Sequence, residues 1–459
     1  MIKLTEGQEK ALDVLTKFCM ENEEGSIVIS GYSGTGKTTL TKSLIESIVK
    51  AANLKNQILD TAGRPRIKLP SIQLAATTNK AAEALSLATS MYAVTIHSYL
   101  GIRVKTKFNK KGKSTTETSQ PTKLAACDIL IIDEASFIDD DLLTKIEKST
   151  TNVKVIYIGD PAQLAPINCE ETPVFNQGFP TIYLTEIVRQ EPGNQIIEAS
   201  KSFRDAAKGK VYEPFKPDMD KVVHLNSTEF NTAMLKEFSR PDFTERDAKV
   251  LAWTNKMVKT YNSIIKEKVT GDHMLKAGDY AVCNNYFNTK STNNPFHNVK
   301  FGTQISTRST ITIPTDTTVQ IIEVTPITYE HNDNYSQGVA HTYLNPIKIN
   351  LIQYKIESKG NIGFGYICND SRLNLVRTMF AKNNDTKKLK QIDSWLIDLR
   401  PLFACTINKS QGSTYRKVFI DLNDVSKCRN KNQVARMMYV GFSRASEQVI
   451  CTGDISQGL

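Results

Sequence analysis

No stretch of this 459-residue chain approaches the roughly 20 consecutive apolar residues that a membrane-spanning helix needs. Met1 to Met20 mixes charge with amphipathic spacing and lacks the apolar core of a secretory signal, so a cytoplasmic protein with no membrane partner is expected. Cysteine is present but unpatterned. Cys19, Cys127, Cys169, Cys283, Cys368, Cys405, Cys428 and Cys451 include no CxxC pair, which supports neither a zinc ribbon nor a disulfide framework and leaves free buried thiols. A single hydrophobic core cannot serve a chain of this length, and about two to four domains are expected. Hydrophobic residues make up 40%, an ordinary share for a globular protein. The net charge of +10 favours a polyanionic partner, although solvated lysine faces give the same balance.

What is present is organised around Ser26 to Leu40, SIVISGYSGTGKTTL. A β-branched run reaches Gly31 and is followed by a helix-compatible segment, which fits the G-x-x-x-x-G-K-[ST] phosphate loop. Gly31, Gly34 and Gly36 can take backbone angles closed to other residues, so that successive N–H groups turn inward around phosphate oxygens. The following helix points its positive end at the same anion. Gly34, Thr35, Gly36 and Thr39 would line the phosphates, Lys37 would reach the β- and γ-phosphates, and the Thr38 hydroxyl would ligate a bridging magnesium ion.

Before this loop, Thr5 and Gln8 have the spacing of a capping box at the start of an amphipathic helix. The Gln8 amide could equally pair a donor and an acceptor on an adenine edge. After the loop, a helix is expected over Lys37 to Lys50, then a strand over Ile72 to Ala76 ending in Thr77, Thr78, Asn79 and Lys80. These four residues can serve a backbone phosphate or simply cap the next helix. His97 in Thr-Ile-His-Ser reads from its residue type as a partly buried core residue. Ile102 to Lys113 alternates apolar and basic residues as a β-hairpin arm, with Phe108 near the tip suited to stacking on a base.

Ile129 to Ile132 reads as a strand buried on both faces and ends in Asp133-Glu134. Adjacent carboxylates there are costly unless they serve a cation or a proton transfer. Asp133 suits a hydrated magnesium ion and Glu134 the polarisation of an attacking water. Val153 to Ile158 is a further strand, ending in Gly159, Asp160, Pro161, Ala162 and Gln163, of which Gln163 can touch a γ-phosphate. Arg189 follows another strand. Successive strands ending in polar residues indicate a parallel sheet with its ligand at the carboxyl edge.

A second sheet restarts at Lys249 to Trp253, followed by Thr254, Asn255 and a helix over Lys256 to Lys268. It resumes at Pro401 to Ile407, Lys417 to Leu422 and Gln448 to Thr452. Lys276 to Asp398 reads as a largely β insertion without an internal repeat, with Lys382 to Lys390 a polar connection. Lys431 to Arg444 reads as a helix ending in an arginine, a macrodipole partner or a charge aimed across a cleft.

The ordered set LTEGQ, GYSGTGKT, TTNKAA, TIHS, IIDEAS, GDPAQLAP, LTEIVRQ, TINKSQGS and YVGFSRA resembles the superfamily 1 helicases of the 5′ to 3′ branch, the Dda group closely and RecD and Pif1 more distantly. Asn408 departs from the family, which has a histidine before Lys-Ser-Gln-Gly. The resemblance implies an α/β fold of two RecA-like parallel-sheet domains. The first, 1–190, would carry a pin hairpin at about 102–122; the second, 191–275 with 399–459, would carry an SH3-like insertion at 276–398. ATP and Mg2+ would sit between the two sheets and single-stranded DNA across both. Gln8 would then read adenine, and Lys37, Thr38 and Asp133 would hold phosphate and magnesium. Glu134 would orient water, Gln163 would sense the γ-phosphate, and Arg189 and Arg444 would be arginine fingers. Thr77, Thr78, Asn79, His97, Phe108, Thr254, Asn255, Thr406 and Gln411 would face DNA. The implied protein is a monomeric helicase working on single-stranded and fork DNA, with replication or single-strand-binding proteins as partners, in host cytoplasm if phage-encoded. A translocase that strips bound proteins shares these motifs, whereas a binding module with a relic ATP site would not need them intact.

Overall fold

The computed structural model describes residues 4–21, 25–108, 114–166, 172–188, 193–288, 311–331 and 347–455, with only the backbone described at 104–108, 114–117, 330 and 331. The chain divides into two units. The first gathers Met1–Arg103, Gln120–Tyr261 and Phe403–Leu459, and the second Val104–Ser119 and Asn262–Leu402.

Two parallel sheets organise the first unit. In the first sheet the strand order is Ala93–Thr95, Ile72–Ala76, Ile129–Asp133, Lys154–Gly159, Ser26–Gly31, Thr181–Leu184, and every pairing is parallel. Alternate residues of the central strands feed opposite cores. Ile129 and Ile131 join Ile27, Ile29, Ile156 and Ile158 on one face, while Leu130 and Ile132 join Val28, Val155 and Tyr157 on the other. Burial on both sides explains the continuous apolar runs. It also leaves the strand ends as the one place for polar chemistry, and register sets Asp133 beside Ala76 and Gly159 beside Ser30.

The helix after the phosphate loop runs Lys37–Thr61, well past the expected end at Lys50. Its buried residues stop at Ala52, and Leu54 and Ile58 are exposed. The apolar period therefore ends while helix propensity, strong in Leu54, Lys55, Gln57 and Leu59, carries the backbone on.

In the second sheet the order is Ala404–Thr406, Ala248–Ala252, Tyr415–Asp421, Ala445–Thr452, Val222–Leu225, again wholly parallel. The edge strand Val222–Leu225 has no counterpart in the sequence reading. It is short, and a turn fixes its start, with the Asp218 carboxylate accepting from the N–H groups of Asp220, Lys221 and Val222. Helices Gln195–Ala207 and Lys431–Ser443 pack together through Phe203 and Phe442, whose ring centroids are 5.1 Å apart.

The second unit holds an antiparallel sheet ordered Asn361–Ile367, Ile347–Ser358, Thr317–His331, Tyr280–Cys283, Leu399–Pro401. Leu399 pairs with Cys283 here, not in the second parallel sheet. The described part of the insertion is largely β, as expected, but the expected polar connection at Lys382 to Lys390 needs correction, because helices Arg372–Lys382 and Thr386–Trp395 occupy this stretch. Val376, Phe380, Leu389, Ile392 and Trp395 bury one face of each helix against Tyr329, Ile349, Leu351 and Tyr366. The lysines that suggested a linker lie largely outside this core, and Asp385 caps the second helix by accepting from the Lys388 N–H. The hairpin is present as Val104–Phe108 paired with Ser114–Thr118, and its turn, 109–113, lies outside the described residues. Among the described residues no helix is long and apolar enough to cross a membrane.

One buried acid pins the second sheet to the helix that comes after it. Asp424 is fully buried and accepts from the N–H groups of Trp253 (2.9 Å) and Thr254 (2.8 Å) and from the Thr254 hydroxyl (2.9 Å). Asp424→Ala strands these donors and should lower unfolding stability by about 3 kcal/mol. An unchanged denaturation midpoint would show that the contacts carry no stability.

Candidate active site between the two parallel sheets

The phosphate-binding turn lies between the strand end at Gly31 and the helix start at Lys37. Gly34 and Gly36 have φ of +84° and +70°, and the helix begins without a side-chain cap, leaving first-turn N–H groups for an anion. A Cβ on Gly36 would stand 2.5 Å from Gln8 Nε2, and one on Gly31 2.8 Å from Thr35 Oγ1. Lys37 Nζ donates to the carbonyls of Gly31 (2.8 Å) and Tyr32 (2.9 Å), so its charge lies over the loop. Thr38 and Thr39 are half-buried in the first turn. Gln8 is buried with both ends of its amide engaged. Oε1 accepts from Thr5 N–H as part of a capping box, and Nε2 donates to the Thr35 carbonyl at 2.9 Å. The capping arrangement thus also braces the loop.

Asp133 and Glu134 stand at the edge of the neighbouring central strand. Burial, and then the negative charge of Glu134, push the Asp133 carboxyl up to about 7, against the pull of Lys37. A carboxyl held this far above its ordinary range is one whose charged form a divalent cation would favour. With the Thr38 hydroxyl it would offer the sparse oxygen set that suits magnesium, since that ion keeps several waters and leaves room for phosphate. Glu134 has a left-handed backbone, φ +54°, and its carbonyl accepts from the Thr77 hydroxyl at 3.2 Å.

The second sheet supplies the opposite wall. Arg444, 3% exposed, donates from Nη2 to Ser33 Oγ of the phosphate loop at 2.8 Å and from Nη1 and Nε to the carbonyls of Ser413 and Val440. Burial holds its pKa below the usual arginine range, with the Glu134 charge opposing. Gln411 Nε2 donates to Gln163 Oε1 (2.7 Å), Glu134 Oε2 (3.1 Å) and Ser136 Oγ (3.3 Å). Sequence reading set Gln411 on the DNA strand, and the structure puts its side chain in this cleft instead.

Four residues that sequence reasoning did not assign complete the wall. Tyr439 Oη accepts from the Ser33 N–H at 2.9 Å and donates to Asp160 Oδ2 at 2.5 Å. Arg204 pairs with Asp160 Oδ1 at 3.2 Å and lies 3.6 Å over the Tyr32 ring. Arg436 donates to the carbonyls of Pro161 and Gln163. Tyr439 and Asp160 lie within the quoted motifs and so carried a signal; Arg204 and Arg436 looked like ordinary helical cations.

The residues expected to face DNA are dispersed. Thr78 caps helix Asn79–Thr89, Thr406 caps the turn Ile407–Ser410, and Asn79 and Asn255 are exposed. Thr254 is committed to Asp424 and to the Met257 N–H. His97 is half-buried, and burial lowers its pKa. Arg189 and the Phe108 side chain lie outside the described residues.

A phosphate loop, a carboxylate pair and a buried arginine from a second parallel sheet define a P-loop NTPase of two RecA-like domains. Residues 3–218 match the AAA domain family and residues 401–452 the UvrD-like helicase C-terminal domain family. The chain is 32% identical to the ATP-dependent DNA helicase dda of Enterobacteria phage T4 over 58% of its length and 57% of that protein. It is 29% identical to the ATP-dependent RecD2 DNA helicase of Deinococcus radiodurans over 43% of this chain and 23% of that one. An uncharacterised mimivirus protein, R530, is 23% identical across 96% of this chain and 98% of its own. Among solved structures, Pif1 helicase from Bacteroides with ADP-AlF3 and single-stranded DNA covers the whole chain and 94% of its own at 16% identity and a TM-score of 0.47. The chain is thus similar in sequence to ATP-dependent DNA helicases, and it spans little more than half the length of the T4 protein and under a quarter of the Deinococcus one.

The raised Asp133 pKa makes a signed prediction for the ligand-free protein. The folded carboxyl keeps its proton to about pH 7 while the unfolded one loses it near 3.8, so the associated stability is full below 3.8 and is lost as pH rises through 7. Asp133→Asn should therefore melt above wild type at pH 8 and lose that advantage by pH 4. Equal melting differences at both pH values would refute the assignment.

Proposed function

We propose that the chain is an ATP-dependent DNA helicase that moves 5′ to 3′ on single-stranded DNA and separates the duplex ahead of it. The observation that carries this reading is Arg444, a buried cation from the second sheet reaching Ser33 in the phosphate loop of the first. A guanidinium so placed can meet a γ-phosphate only when the two sheets are closed, so hydrolysis weakens the contact that keeps them together. Likeness to the T4 helicase supports DNA as the polymer, and the direction of travel rests on the resemblance of the ordered motifs to the 5′ to 3′ branch.

In this reading Lys37 and the loop N–H groups hold the phosphates, and Thr38 and Asp133 hold magnesium, which neutralises charge on the β- and γ-oxygens. Glu134 orients the attacking water, Gln163 senses the γ-phosphate, and Arg444, with Arg189, acts as a finger. Thr77, Thr78, Asn79, His97 and Thr406 contribute to the strand-binding surface, and the hairpin Val104–Phe108 with Ser114–Thr118 is the separating pin. Fuel is required because each duplex step opened costs on the order of 1.4 kcal/mol of stacking. Binding should rest on phosphate contacts and base stacking and weaken with salt. The protein would act as a monomer on single-stranded and fork DNA, in host cytoplasm if virus-encoded, beside replication or single-strand-binding proteins.

A fork substrate tests the reading. Wild type should separate a fork bearing a 5′ tail and leave one with only a 3′ tail intact. The reverse preference would overturn the direction, and displacement of bound protein without strand separation would make the chain a stripping translocase. Lys37→Ala should abolish ATP turnover while oligonucleotide binding without nucleotide survives. Arg444→Ala should bind ATP yet hydrolyse it about 10³-fold more slowly. Wild-type turnover in that variant would exclude Arg444 as the finger.

A further inference from the structure

We propose that Gln411 is a positioning residue for ATP hydrolysis, through which the strand-binding turn of the second sheet sets the geometry of Glu134 and Gln163. The inference rests on the helicase reading above. Gln411 is 7% exposed, and one amide nitrogen reaches three groups of the opposite lobe, Glu134 Oε2, Gln163 Oε1 and Ser136 Oγ. A carboxylate and an amide oxygen can only accept, which fixes the nitrogen of Gln411 toward them and its Oε1 away. That Oε1 is buried without a hydrogen-bond partner among the described residues.

The neighbouring Gly412 lies beside the same acid: it has φ +78°, and a Cβ there would meet Glu134 Oε1 at 3.6 Å, an ordinary packing distance. The Gln411-Gly412 turn is thus adjacent to Glu134, and its hydrogen bond to the carboxylate comes from the Gln411 amide. The turn is short and tied to its start: Thr406 caps Ile407–Ser410 by accepting from the Lys409 N–H, and the Gln411 N–H donates to the Asn408 carbonyl. A phosphate bound near Thr406 would shift a rigid turn whose far end holds the water-orienting acid.

The test is steady-state ATP hydrolysis with and without a saturating oligo-dT, alongside oligonucleotide affinity and thermal melting. For Gln411→Ala, kcat with oligonucleotide should fall about 10²-fold, a loss of the size seen when one positioned donor is removed. The KM for ATP and the Kd for oligonucleotide should stay within about two-fold. Gln411→Glu keeps the shape and removes the donor, so it should lose at least as much, which also covers an alanine variant that fails to fold. Wild-type kcat in Gln411→Glu would overturn the proposal. So would a rise in oligonucleotide Kd that accounts for the lost turnover, since Gln411 would then be a DNA contact. If wild type itself hydrolyses no ATP, the helicase reading falls and this inference with it.

Discussion

A buried guanidinium held by carbonyl and hydroxyl oxygens is the interaction on which the cleft depends. Arg444 donates to two carbonyls and two hydroxyls, of Val440, Ser413, Ser33 and Ser443, and no carboxylate among the described residues pairs with it. Such a charge is retained at the expense of stability unless an anion is to arrive. Its position dictates much else. The helix that delivers it, Lys431–Ser443, is buried from Val434 to Ser443 without interruption, packed against the helix Gln195–Ala207 and the strands Tyr415–Asp421 and Ala445–Thr452.

The same cleft holds a second set of polar groups, joined to one another across the two sheets. Asp160 is neutralised by Arg204 and receives the Tyr439 hydroxyl, which in turn accepts from the Ser33 N–H. Arg204 also covers the Tyr32 ring, so consecutive phosphate-loop residues are held from the second sheet before any nucleotide is considered. These closed contacts align the lobes. The open ones, Arg444, Asp133 and the Oε1 of Gln411, lie where charge and water would enter.

Sequence alone revealed the parts of the molecule whose chemistry fixes residue type at fixed spacing. Gly31, Gly36 and Lys37 could be read because backbone angle and phosphate reach leave few substitutes, and Ile129 to Asp133 because burial on both faces ends abruptly in charge. Both parallel sheets emerged from such runs. The helices Arg372–Lys382 and Thr386–Trp395 escaped because surface lysines and asparagines outnumber the few apolar residues that anchor them. Arg204 and Arg436 escaped for a different reason: nothing local separates a cation that will be buried across a cleft from one that will be solvated. Gln411 was assigned to the wrong neighbour because its place in the chain, directly after Thr406 to Lys409, says which turn it belongs to and not where its side chain points.

Glu134 is where the two sheets converge. Its left-handed backbone costs about 1–2 kcal/mol for a non-glycine residue, and the conformation is held by neighbours. From the first sheet, Thr77 at the end of Ile72–Ala76 donates to its carbonyl, and from the second, Gln411 donates to its carboxylate. Each donor sits just beyond a strand end, at the carboxyl edge where parallel sheets take their ligands. A polynucleotide lying along both edges would therefore press on one acid from two sides, through a backbone contact and a side-chain contact. In the proposed mechanism Glu134 orients the attacking water, and one hydrogen bond from each sheet sets the position of that acid.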